Sequence, residues 1–255
     1  MIVLPTSGER LDLLRRALES CIGIESSVLG PVVVVAPSSA KAAGELARSY
    51  GAVVVRDAGK GISQATNTGL SQTSSEMYYV WLGDDDELVA EGVTQLVEEL
   101  VQNPDAVLAY GYCEYINEAG RVVAQSKAGP IAKSLLPWGP NLIPHPGTVI
   151  RVEAMRAVGC FDPGLKFALD LDLFLKLRKL GTFLSLPVVS ARFGWHADSA
   201  TVADRASSAR EAIIVKNRHL PALLRPFSWI WNYPVAWASQ VAAWAVTLRA
   251  RNLSG

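Results

Sequence analysis

Four consecutive valines, Val32–Val35, stand between Pro31 and the Ala36-Pro37 break, and they narrow what this chain can become more than any other feature. A β-branched run with no polar position fits a strand covered on both faces, the situation of a parallel sheet between two helical layers. The neighbouring text repeats the pattern. Ile2–Leu4 is a short apolar run, followed by Pro-Thr-Ser-Gly and then Leu11, Leu14 and Leu18 at helical spacing. Lys41–Tyr50 reads as a helix ended by Gly51, Ala52–Val55 as a third strand, Gly61–Ser71 as a helix and Met77–Leu82 as a fourth strand. Strands alternating with helices predict an α/β fold with a mostly parallel, Rossmann-like sheet flanked by helices.

Ligands of such sheets bind beyond the carboxyl ends of the strands. At one such end the chain reads Val80-Trp81-Leu82-Gly83-Asp84-Asp85-Asp86-Glu87-Leu88. Adjacent carboxylates repel, and near a core they need partners. Asp86 and Glu87 fit the start of a helix near Val89–Val101, where acids complement the free N–H groups. Three aspartates together also suit a hard cation such as Mg²⁺ or Mn²⁺, which takes one or two carboxylates and shares its shell with phosphates.

Downstream, Ala106–Tyr115 and Arg121–Gln125 read as strands joined by a turn, and residues 126–147 as a Pro- and Gly-rich loop able to close over a site. Thr148–Arg151 is a strand, Glu153–Val158 a short helix, Asp170–Leu180 a firm helix and Thr182–Arg192 a strand. On the firm helix, Asp172 lies on the face of Lys176 and Lys179, which predicts a solvated ion-pair face. Asp170 instead shares the stripe of Leu173, Phe174 and Leu177. There it is either an N-cap or a carboxylate aimed into a cleft, where it would serve as a general base. His145, between two prolines, and His196, after a strand, each have a structural reading and a site reading.

Lys+Arg and Asp+Glu both number 24, so no global field draws the chain to nucleic acid or an anionic bilayer. Cys21, Cys113 and Cys160 are widely separated, as free thiols in a reducing compartment would be. The opening MIVLPTSGERLDLL lacks a signal-peptide pattern, and the expected location is cytoplasmic. From Pro226 to Leu248 no residue is charged, and four of the seven tryptophans fall there. Asn232, Pro234, Ser239 and Gln240 make this a poor membrane span. A stripe of Trp237, Val241, Trp244 and Leu248, with Arg249 and Arg251 beyond, instead fits a helix lying at a membrane surface. Docking onto the body of the protein or onto a second subunit, as a homodimer, is the alternative.

The order of features resembles family 2 glycosyltransferases, inverting enzymes of the GT-A fold, over roughly residues 2–220. The family's glycine- and asparagine-bearing phrase corresponds to Gly61-Ile62-Ser63-Gln64-Ala65-Thr66-Asn67-Thr68-Gly69-Leu70, and its aspartate motif to Trp81–Leu88. His145 through Arg151, Gly159-Cys160-Phe161-Asp162 and Asp170-Leu171-Asp172-Leu173-Phe174-Leu175-Lys176-Leu177 follow in the family's order. The resemblance implies transfer of a sugar from a UDP-, dTDP- or GDP-sugar to a glycan or lipid-linked acceptor, with Mn²⁺ or Mg²⁺. It implies Asp170 as base, and Asp85 as metal ligand with Asp84, Asp86 and His196 assisting. It also implies Pro5, Thr6, Lys60, Gln64, Asn67 and Asp84 around the donor, and His145, Trp138 and Asp172 around the acceptor. Residues 1–105 would hold the nucleotide, 106–220 the acceptor, and 221–255 would form a hydrophobic helical tail.

Two departures touch nucleotide recognition: Ala36-Pro37-Ser38-Ser39 stands where the family has an aspartate, and Gln64 where it has an acid. A non-catalytic nucleotide-sugar or partner-binding module is the alternative function. A sugar nucleotidyltransferase is a further one, for which Pro5-Thr6-Ser7-Gly8-Glu9-Arg10 is a poor phosphate loop.

Overall fold

A computed structural model describes residues 1–24, 29–72, 75–195 and 204–252. The first half alternates β1 (Ile2–Pro5), α1 (Leu11–Cys21), β2 (Val32–Ala36), α2 (Lys41–Ser49), β3 (Val53–Arg56), α3 (Ile62–Leu70) and β4 (Tyr78–Trp81). A short β5 (Glu87–Leu88) leads to α4 (Ala90–Gln102), then β6 (Ala106–Ile116) and β7 (Val122–Ser126). The second half continues with α5 (Ala132–Leu135), β8 (Val149–Arg151), α6 (Val152–Ala157), α7 (Leu169–Leu177) and β9 (Thr182–Gly194). It closes with α8 (Arg205–His219), a 3-10 turn (Ala222–Phe227) and α9 (Trp229–Asn252).

The sheet runs β3-β2-β1-β4-β8-β6-β9-β5, with β7 on β6. The β3-β2-β1-β4 half is parallel, as is β6 with β9. The short β8 enters antiparallel between β4 and β6 and joins the two parallel blocks.

The valine run shows why this sheet has two dry faces. Val33 and Val35 enter one core cluster, and Val34 and Ala36 the other. Successive strand side chains point to opposite faces, so an all-apolar strand feeds both. One cluster collects Leu14, Leu18, Ala43, Ala47, Val93, Leu96 and Leu100 from α1, α2 and α4. The other collects Leu70, Met155, Leu173, Phe174 and Val215 from α3, α6, α7 and α8. The α4 helix lies close against β9. A Cβ on Gly92 would stand 2.0 Å from the Val189 carbonyl oxygen, a contact only glycine permits.

Candidate active site

Register brings the first two site residues together. β1 pairs β4 in parallel with Ile2 opposite Val80 and Val3 opposite Trp81, so Thr6 and Asp84 leave their strands side by side. The Thr6 hydroxyl donates to Asp84 Oδ2 at 2.5 Å and accepts the Gly8 N–H at 2.9 Å. Arg10, just before α1, donates to Asp84 and, at 2.9 Å, to Asp85 Oδ2. Burial outweighs these partners and holds the Asp84 carboxyl above its ordinary range.

Asp86 turns the other way. It is 1% exposed and accepts the Gly194 N–H at 2.9 Å, which ties the acidic turn to the end of β9. Its Oδ2 has no partner, and burial together with the charge of Asp85 pushes the carboxyl well above its usual range. The expectation that Asp86 and Glu87 open a helix is corrected. Val89 is the residue before α4 and makes no side-chain cap, while Glu87 lies in β5 opposite Arg192. A two-residue strand intervenes because Leu88 is drawn into the core beside Ala191.

Asp170 sits in the first turn of α7, but the N-cap position belongs to Ala168, which offers no side-chain bond. Glu211 of α8 does the capping from outside the helix. Its carboxylate accepts the N–H groups of Lys166 at 3.0 Å, Phe167 at 2.5 Å and Ala168 at 2.6 Å. Asp170 is thereby left to face the cleft, where Oδ2 accepts from Asn141 Nδ2 at 2.8 Å and Oδ1 from the Leu171 N–H at 2.7 Å. Burial raises its pKa from 3.8 to about 6 against these hydrogen bonds. Asn141 is itself oriented, because its Oδ1 accepts the Ile143 N–H at 3.2 Å.

A cavity of about 340 Å³ is lined by Asp84, Asp85 and Asp86 and by Asp170. Pro5, Arg10, His145, Asn141 and Trp195 also line it. Carboxylates from the carboxyl end of β4 and from the start of α7 thus open into one space.

A family model described as glycosyl transferase family 2 matches residues 1–159. The chain belongs to this family. As a family 2 glycosyltransferase it is 24% identical to a chondroitin synthase of Pasteurella multocida over 162 residues, which cover 63% of this chain and 16% of that protein. It is 23% identical to an uncharacterized glycosyltransferase of Haemophilus influenzae over 226 residues, 86% of this chain and 76% of that protein. The chain thus spans about a sixth of the synthase. Among solved structures, a mannosyltransferase of Pyrobaculum calidifontis in complex with GDP-Man and Mn²⁺ superposes with a TM-score of 0.64 at 17% identity, covering 96% of this chain and 74% of that one. TarS of S. aureus in complex with UDP-GlcNAc gives 0.62 at 15% identity, covering 89% and 72%. These likenesses show the GT-A fold.

The residues fit a divalent cation of the kind family 2 glycosyltransferases are expected to use. Asp84 and Asp86 are buried carboxylates raised in pKa beside Asp85, and the Asp86 Oδ2 atom is orphaned. A cation beside this turn would offset the burial of its carboxylates. Among the described residues no group of three or more His, Cys, Asp or Glu is arranged to hold a metal ion by itself. Mg²⁺ and Mn²⁺ take one or two carboxylates and complete the shell with phosphate oxygens and water.

The other expected residues divide. His145 lines the cavity, stacked on Trp81 at 4.4 Å between ring centroids, and burial lowers its pKa to about 3, so the imidazole is neutral. Its Nε2 has no partner. Asn67 does not line the cavity. Its amide brackets Phe161, donating to the carbonyl at 2.9 Å and accepting the N–H at 3.2 Å. Lys60 is exposed and Gln64 half-buried, and neither lines the cavity. Trp138 packs edge-on against Trp231 of α9 at 5.2 Å.

The solvated face expected for Asp172 is corrected. The residue is 3% exposed and held between Lys176 at 2.7 Å and His219 at 2.8 Å, away from the cavity. Burial opposes its charge, yet these two partners outweigh burial and keep the carboxyl below its usual range. α8 covers that side of α7, which the periodicity of α7 alone does not reveal. His196 lies outside the described residues.

Sequence reasoning missed Arg10 as the partner of two site aspartates and Asn141 as the partner of Asp170. Arg10 left a usable signal, being a cation shortly after a strand whose neighbour ends in acids. Asn141 left none.

Proposed function

We propose that the chain is an inverting glycosyltransferase that moves a sugar from a nucleoside diphosphate sugar to an acceptor hydroxyl in glycan synthesis. The observation that carries this reading is the shared cavity of Asp84–Asp86 and Asp170. Asp170 takes the proton from the acceptor hydroxyl as its oxygen bonds to the anomeric carbon and the bond to the diphosphate breaks. A carboxyl raised to about 6 is mostly ionised at neutral pH yet more basic than an ordinary aspartate. Asn141 aims it. Arg10 places a guanidinium where charge grows on the leaving diphosphate. Mn²⁺ or Mg²⁺, when held by Asp85 with Asp84 or Asp86, supplies Lewis-acid stabilisation of that charge. The 137–146 stretch runs along the cavity through Asn141, Ile143 and Pro144, positioned to keep water from the donor. Similar folds crystallised with UDP-GlcNAc and with GDP-Man and Mn²⁺ support the donor class.

Sugar transfer with and without Mn²⁺ tests the assignment in Asp85→Asn and Asp170→Asn. Both variants lose transfer, and full activity in Asp170→Asn ends its role as base.

The tail supports a peripheral membrane site for the same reaction. Among the described residues no helix is long and apolar enough to cross a membrane. One side of α9 docks onto the body, through Trp231 against Trp138 and Thr247 accepting from Trp195 Nε1 at 3.2 Å. The other side exposes Trp229, Tyr233, Trp237 and Trp244. No acid lies between 226 and 248, and the exposed Arg225 and Arg249 flank the stripe, an arrangement complementary to an anionic bilayer surface.

A further inference from the structure

A second cavity, of about 320 Å³, adjoins the first and shares Asn141, Phe167 and Asp170 with it. Its far walls are α8 and the inward side of α9. Neither wall belongs to the 1–159 stretch that the family match covers. A space of this size suits one small ligand, and most of its lining, with Phe167, Leu171, Ile213 and Val235, is apolar around a few polar groups.

Two of its lining groups are unusual. Lys216 is 4% exposed, and its Nζ donates to the Gly139 carbonyl at 2.6 Å. Among the described residues no carboxylate lies within ion-pair distance of it, so a lysine of the cavity lining carries a buried ammonium with one hydrogen bond placed. Buried cations are ordinarily paired, because desolvation otherwise opposes the charge. That cost is visible in its pKa, lowered by burial from 10.5 to about 8. Asn232 is 1% exposed; its Nδ2 reaches Asn217 Oδ1 at 3.5 Å, while its own Oδ1 has no donor.

The lining thus includes a buried cation with no carboxylate at ion-pair distance and a buried acceptor without a donor, while the Asp170 carboxylate stands where the cavity joins the first. An aliphatic chain would satisfy neither. A neutral sugar would satisfy Asn232 and leave Lys216 without a counter-charge. We propose that this cavity is the acceptor subsite and takes an anionic sugar, whose carboxylate or phosphate meets Lys216 while a hydroxyl donates to Asn232 Oδ1. A hydroxyl of the same ligand then reaches Asp170 where the two cavities join. The word acceptor rests on the reading of Asp170 as base; the anionic-sugar site stands on the cavity itself.

Calorimetry on the full chain at pH 7 tests this with glucuronate, glucose 6-phosphate and glucose as probes, and with UDP plus Mn²⁺ as a separate titration. At least one anionic sugar binds about 10-fold or more tighter than glucose. Lys216→Met removes that preference. Ser239→Tyr, at the solvent-exposed rim of the cavity, narrows it and weakens the anionic sugar as well. UDP binding is unchanged in both variants. Preference for glucuronate alone identifies the anion as a carboxylate, and preference for the phosphate ester alone as a phosphoryl group. Equal binding of all three sugars, or a preference that survives Lys216→Met, overturns the proposal. Absence of UDP binding beside an intact anionic preference sinks the donor reading and leaves this subsite standing.

Discussion

At the scale of single residues, Asp170, Arg10 and Lys216 are charged groups whose partners fix how each should respond to pH, cation and substitution. Asp170 must be ionised to accept a proton, and its pKa is raised by burial to about 6. The kcat/KM for transfer is therefore expected to be flat above that value and to fall about tenfold per pH unit below it. Asp170→Asn should lose about 10²-fold or more in rate while still binding donor, and a variant with an unchanged pH profile would remove the base. Arg10 bridges Asp84 and Asp85, so it competes with any cation at those carboxylates. Arg10→Met is expected to show a larger rise in Tm on adding Mn²⁺ than the unaltered chain; an equal rise contradicts that competition. Lys216 carries a linkage prediction. Its unfolded pKa is 10.5 and its folded pKa about 8, so between these values the unfolded chain binds the extra proton and stability climbs with pH. Below about pH 8 the buried ammonium weighs fully against folding. Lys216→Met should then be more stable at pH 7 by about 1 kcal/mol, after the Gly139 carbonyl loses its donor. A lower denaturation midpoint would show that the lysine is a structural tie rather than a ligand contact.

At the scale of elements, the ends of β4 and β9 position the acidic turn together. A Cβ on Gly194 would stand 2.4 Å from the Asp85 carbonyl, and the Gly194 N–H is the donor to Asp86. Gly194→Ala is expected to cost about 2–4 kcal/mol in denaturant stability and to weaken donor binding with it; an unaffected protein would show that the turn is not held from β9. Much of this layer was legible in advance. The β-branched run at Val32–Val35 and the spacing of Leu11, Leu14 and Leu18 report local periodicity, and β2 and α1 lie where it places them. The acidic cluster was legible as a cluster, but its internal ranking was not. Asp86 is distinguished by a glycine more than a hundred residues later, and Asp172 by His219 of α8. Asn67 illustrates the opposite failure. Its motif pointed to the nucleotide, yet its amide holds the backbone of Phe161. Contacts across such sequence distances leave no periodic trace.

At the scale of the whole molecule, two cavities meet at Asp170, and α9 stands between the second cavity and an exposed aromatic stripe. Trp237 and Trp244 are 70% and 59% exposed. Full-length protein is expected to float with liposomes containing anionic lipid, and Trp237→Glu with Trp244→Glu to abolish flotation without altering UDP binding. Sedimentation as a dimer that those substitutions dissociate would assign the stripe to a second copy instead. The proposed function requires a nucleoside diphosphate to bind at Asp84–Asp86 through a divalent cation, beside a separate base. Titration calorimetry of UDP and of GDP, with Mn²⁺ and with EDTA, tests it most directly in the unaltered chain, Asp85→Asn and Asp170→Asn. Mn²⁺-dependent binding of at least one of them is expected in the unaltered chain and in Asp170→Asn, and its loss in Asp85→Asn. Binding that is indifferent to Mn²⁺ and survives Asp85→Asn, or no binding of either, would contradict it.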